Sequence, residues 1–157
     1  MSTTSLKKGL ARSRRGMVTS PHPLATEAGL AVLARGGNAI EAALATSAVL
    51  TVVAPHFSGL GGDAFWLIAD AQGDVRALSG IGQASQQRPQ AGDTLPTRGP
   101  QSATTTAAAV DVWDRAFQHS QRAWQGRCSW AELFEPALTH ASEGFAVTAS
   151  QAFWQDM

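Results

Sequence analysis

From Asn38 to Pro55 the chain reads Asn-Ala-Ile-Glu-Ala-Ala-Leu-Ala-Thr-Ser-Ala-Val-Leu-Thr-Val-Val-Ala-Pro, a stretch with helical composition and almost no polar face. A helix that is apolar on most sides must be covered by other elements of a protein or by lipid. Glu41, Thr46, Ser47 and Thr51 interrupt this one, and it is too short and too polar to span a bilayer. The expectation is a central helix, buried on most sides by its neighbours. Asn38 followed three residues later by Glu41 forms a capping-box pattern at its start, and Pro55 ends it.

The neighbours are set by composition. With 157 residues the chain holds one domain with a single core. Of the 44% hydrophobic residues, 29 are alanines, which favours helices whose backbones approach closely. Twelve basic residues balance twelve acidic ones, leaving no electrostatic footprint for nucleic acid or an anionic membrane. The lone Cys128 excludes an internal disulfide and reads as a small buried hydrophobe in a reducing compartment. Residues 1–15 read as a disordered basic leader. No apolar run of signal-peptide length follows it, and a cytoplasmic protein is expected.

Around the central helix the order is α, α, hairpin, α, α. Gly16 to Thr19 reads as a short strand that stops at Ser20-Pro21-His22-Pro23. A first helix runs from Pro23 to Arg35 and is stopped by Gly36-Gly37. The apolar run Ala64 to Ala69 reads as a buried strand. The turn Asp70-Ala71-Gln72-Gly73-Asp74 joins it to Val75 to Leu78 in an antiparallel hairpin. Gly80 to Pro100 reads as a long surface loop. Helices follow from Thr106 to Trp124 and from Ser129 to Ser142, the second with Ser129 and Glu132 as a capping box and Gly144 as its stop. Residues 148–157 enter a further helix.

Few residues offer chemistry directly. Gly59 to Gly62 lacks the lysine of a phosphate loop and opens a strand rather than a helix, so it reads as a tight connection packed near neighbouring backbone. His22, His56, His119 and His140 show no metal-ligand spacing, and no metal or other cofactor is expected. His22 and His56, each beside a proline, are expected to bond backbone carbonyls. Thr104-Thr105-Thr106 admits two readings, a threonine nucleophile or a helix cap, and capping is expected because alanines follow at once. Trp113, Trp124, Trp130 and Trp154 lie at helical spacing with Phe117, Leu133 and Phe134 and are expected to pack over the core.

Gly16 to Gly29, Gly36 to Ala43 and Pro55 to Gly62 closely resemble the opening of the γ-glutamyltranspeptidase family, and Pro136 to Leu138, Ala141 and Glu143 to Val147 resemble its large subunit. The resemblance runs from residue 16 to 157 and implies an α/β fold, part of the four-layer αββα sandwich of N-terminal-nucleophile hydrolases. It implies a precursor that cuts itself into large and small subunits, the small one beginning with a nucleophilic threonine. No position here matches that threonine, so no catalytic residue is assigned to these residues, which alone are expected to be inactive. The expected substrate is a small γ-glutamyl or related acyl amide, and the expected partner is a small subunit. A non-catalytic remnant or scaffold that binds a separate small subunit is the alternative.

Typical members of that family carry an arginine just past the second hairpin strand, where a guanidinium grips the α-carboxylate of the γ-glutamyl group. Ile81 takes its place here. Ser79, Gly80, Ile81 and Gly82 are therefore the expected wall of the acyl pocket, resembling the family's acylase-like branch, and Arg76 or Arg88 would substitute only along a different loop path.

Overall fold

The computed structural model describes residues 11–84, 86, 94–97, 99, 102 and 105–155. Among them are five helices and one two-stranded antiparallel sheet: α1 (Pro23–Ala34), α2 (Ala39–Val53), β1 (Ala64–Ala69), β2 (Val75–Gly80), α3 (Ala109–Ala123), α4 (Trp130–Glu143) and α5 (Ala149–Gln155). The mixed α/β expectation holds. The first ten residues of the expected leader lie outside the described ones.

Helix α2 is the centre, packed by α1, α4 and α3, with the hairpin laid on α3. Its start is the expected capping box. Asn38 Oδ1 accepts from the Ile40 and Glu41 N–H groups at 3.0 and 3.1 Å, and Glu41 Oε2 accepts from Asn38 N at 2.9 Å. Leu44, Ala45, Val49 and Val53 are fully buried, each such aliphatic side chain removing apolar area worth about 1.5–3 kcal/mol when it is valine or leucine. Close approach is achieved at Gly29 of α1, where an added Cβ would run into the Thr46 hydroxyl and lie 3.0 Å from the Ala42 carbonyl oxygen. Gly36, at φ +89°, and Gly144, at φ +86°, stop α1 and α4 as expected.

Glu41 ties this centre to the turn after α3. Its side chain is completely buried, and Oε1 accepts from Cys128 N at 2.8 Å. Cys128 is buried, as expected of a small hydrophobe. Helix α4 begins with the expected Ser129–Glu132 capping box. It then runs through Pro136, whose missing N–H leaves the Glu132 carbonyl without its helical donor; Arg35 Nη2 donates to that oxygen at 3.4 Å.

Four expectations are corrected. Residues 16–19 form no strand, because a strand needs a ladder partner and none pairs with them among the described residues; they line a groove against α2 instead. The run Ala64–Ala69 is not buried throughout: Ile68 is buried, but Phe65 and Leu67 on the opposite face are 67% and 81% exposed. The start of α3 is not capped by a threonine. Ala108 occupies the cap position without a side-chain bond, and the N–H groups of Ala108 and Ala109 both donate to the Gly62 carbonyl, at 3.1 and 3.0 Å. The Gly59–Gly62 connection lies against neighbouring backbone only at Gly62, whose carbonyl takes those two N–H groups; a Cβ at Gly59 or Gly61 would meet nothing within 4 Å.

Candidate functional site

The hairpin delivers the Ser79–Gly82 segment to one edge of the molecule. Its register runs Ala64↔Gly80, Phe65↔Ser79, Trp66↔Leu78, Leu67↔Ala77, Ile68↔Arg76 and Ala69↔Val75. Side chains alternate between faces in such a ladder, and the alternation persists past its end. Gly80 and Gly82 are buried, while Ser79 and Ile81 are exposed, Ile81 by 53%.

Only glycine fits the two inward positions. A Cβ at Gly80 would lie 2.7 Å from Val112 Cβ and 2.8 Å from the Ala108 carbonyl oxygen, and one at Gly82 would overlap the Thr106 carbonyl. The glycine backbone is thus flush against the start of α3, and Ile81 is presented outward by default. Further pins hold the segment. Gly82 N donates to Asp63 Oδ1 at 3.0 Å, Gln83 N to Thr106 Oγ1 at 3.2 Å, and Thr106 N to the Gln83 carbonyl at 3.0 Å. An isolated antiparallel bridge joins Ala84 to Thr105.

Of the four expected wall residues, Gly80 and Gly82 therefore lie against α3 while Ser79 and Ile81 face outward. Asp63 was not singled out from the sequence; its signal was a carboxylate directly after a glycine pair and before a strand. Arg76 is not near Ile81. It lies five positions back along an extended strand, about 17 Å at 3.3–3.4 Å per residue, in a cleft with Asp70, Asp74, His119 and Trp124 at the other end of the hairpin. Arg88 and Thr104 lie outside the described residues. Thr106 is exposed and serves as a bond partner to Gln83.

The histidines take structural roles that differ from expectation in polarity. His22 is buried and caps α1, its Nδ1 accepting from Leu24 N at 3.2 Å instead of donating to a carbonyl. Burial first, then His140 nearby, hold its pKa below the ordinary value against the opposing pull of Glu27. His56 Nε2 pairs with the Ser150 hydroxyl at 3.2 Å, again not with a carbonyl. No group of three or more potential metal ligands occurs among the described residues, and no helix among them is long and apolar enough to cross a membrane. Trp113 is buried, and Trp130 stacks on Phe134 at 4.4 Å and meets Phe117 edge-on at 5.4 Å, as expected. Trp154 departs from this, being 45% exposed against Phe57.

Residues 25–156 match the gamma-glutamyltranspeptidase family, and the chain belongs to it. It is 42% identical over 144 residues to the oxamate amidohydrolase proenzyme of Klebsiella pneumoniae, covering 89% of this chain and 27% of that protein. It is 41% identical over 140 residues to the glutathione hydrolase-like YwrD proenzyme of Bacillus subtilis, covering 86% of this chain and 26% of that protein. The crystal structure of Helicobacter pylori gamma-glutamyltranspeptidase superposes with a TM-score of 0.77 at 27% identity, covering 94% of this chain and 43% of that one. The chain thus spans about a quarter of the length of these curated relatives.

Proposed function

We propose that these residues are the N-terminal portion of the large subunit of a γ-glutamyltransferase-like amidase, contributing helices and a hairpin to a four-layer αββα sandwich. The nucleophile is a threonine that begins a small subunit. Its hydroxyl oxygen attacks the amide carbon while its own α-amine takes the proton. Backbone N–H groups stabilise the oxyanion, the amine leaves with the proton, and water or an amino acid then takes the acyl group. Residues 16–157 form this portion and residues 1–15 a leader. The part played by this chain is the pocket wall Ser79–Gly82.

One observation carries the choice of substrate. Ile81, held outward between two buried glycines, offers no guanidinium where a γ-glutamyl α-carboxylate would be gripped. The site therefore favours acyl amides that lack a carboxylate at that distance from the scissile bond. The relative named for oxamate is consistent with this, since in oxamate the carboxylate is bonded directly to the amide carbon.

The test uses the complete gene product, assayed on a γ-glutamyl anilide and on acyl anilides of matching length without the α-carboxylate. The wild type is expected to prefer the latter. Ile81→Arg is expected to raise kcat/KM for the γ-glutamyl substrate by about tenfold or more, the scale of one charge-assisted bidentate contact. A wild type that prefers the γ-glutamyl anilide, with no response to Ile81→Arg, would overturn the reading.

A further inference from the structure

The hairpin ladder ends in an exchange of partners. Hydrogen-bonded pairs alternate along an antiparallel ladder, and Asp70 N donates to the Asp74 carbonyl at 3.0 Å, one step beyond Ala69↔Val75. The bonded class therefore includes Ile68↔Arg76, Trp66↔Leu78 and Ala64↔Gly80. Continued by two residues, the same register sets Gly62 opposite Gly82 as the next bonded pair. In an ordinary ladder Gly82 N would donate to the Gly62 carbonyl. That carbonyl is occupied by the N–H groups of Ala108 and Ala109 at the start of α3, and Gly82 N turns to the Asp63 carboxylate instead, at 3.0 Å.

We propose that Asp63 and Thr106 are positioning residues for the acyl-pocket wall, clamping Gly82 and Gln83 from either side so that Ile81 is presented in a single register. The inference rests on the reading of Ser79–Gly82 as that wall. Asp63 replaces the rung that α3 takes away, and a charge-assisted bond to a backbone N–H is stronger than the carbonyl rung it replaces. Thr106 acts one residue later, its hydroxyl receiving Gln83 N at 3.2 Å while its own N–H holds the Gln83 carbonyl at 3.0 Å. Without these two side chains, what holds the segment past Gly80 among the described residues is the Ala84↔Thr105 bridge, to which the Thr106 N–H bond to the Gln83 carbonyl belongs. The Gly82 backbone is then free to lift from Thr106, and Ile81 moves with it.

The experiment measures KM and kcat for the preferred acyl anilide in the complete gene product, together with amide exchange at Gly82. Asp63→Ala is expected to raise KM about tenfold with kcat within about twofold and to speed Gly82 exchange. Asp63→Asn keeps an acceptor oxygen and is expected to restore KM to within about twofold. Thr106→Val is expected to raise KM severalfold in the same manner, and it carries the test where Asp63→Ala lowers the folded yield. If Ile81→Ala shifts the acyl preference while neither clamp variant moves KM, the positioning role is overturned and the wall reading stands. If no variant at 63, 81 or 106 moves KM or preference, the wall reading falls and this inference with it.

Discussion

Nδ1 of His22 accepts the Leu24 N–H only while it carries no proton, so the start of α1 is coupled to pH. Burial and the adjacent His140 keep the folded-state pKa below the ordinary value, which the unfolded chain retains at about 6.5. Below that pH the unfolded state binds the proton more readily, so stability falls as the solution is acidified and is flat above it. The thermal midpoint is expected to drop between pH 7.5 and pH 5, and His22→Asn, a cap that does not titrate in this range, is expected to flatten that drop. An unchanged slope in the variant would assign the pH dependence to another group. At this scale, contacts spanning three or four residues were legible in advance: both capping boxes and the glycine stops at 36 and 144 stand where their spacing places them. Asp63 was not, because its partner is 19 residues away and is chosen by ladder parity and by the diversion of one carbonyl.

Helix ends decide much of the architecture. Glu41 closes the cap of α2 with one oxygen and anchors Cys128 with the other, so a residue chosen for local capping also fixes the turn between α3 and α4. Glu41→Ala would leave two N–H groups without acceptors at about 1–3 kcal/mol each. Urea unfolding is expected to show a total loss of about 3 kcal/mol or more, with Glu41→Gln losing less because one acceptor survives. A midpoint within error of wild type would show that water replaces both bonds. The helices themselves were legible from period and punctuation, with no end of α1, α3 or α4 displaced by more than three residues. The cap of α3 was misread for a physical reason: a threonine before an alanine run is a good local cap, but the Gly62 carbonyl, brought in by the hairpin, reaches Ala108 and Ala109 first.

For the molecule as a whole, the hairpin was legible as an element but its two faces were not. Ile68 and the partly buried Trp66 and Leu78 pack on the core, whereas Phe65, Leu67 and Val75 face outward. A continuous apolar composition does not say how many layers a chain will contain, and adjacent apolar surface of this kind promotes association. The 157-residue chain is expected to self-associate at micromolar concentration, and Leu67→Lys, at a position 81% exposed, is expected to reduce this in sedimentation experiments without lowering the melting temperature. A wild-type chain that stays monomeric would remove the premise. The clasp formed by Ala84↔Thr105 and Gln83–Thr106 carries a different consequence. It brings the two ends of the intervening connection together independently of what lies between them, and doubling such a connection adds only about 0.6 kcal/mol of closure entropy. Insertions and deletions can therefore accumulate between residues 84 and 105 while the edge carrying Ile81 keeps its shape, which makes this stretch a place where related chains can diversify in length without moving Ile81.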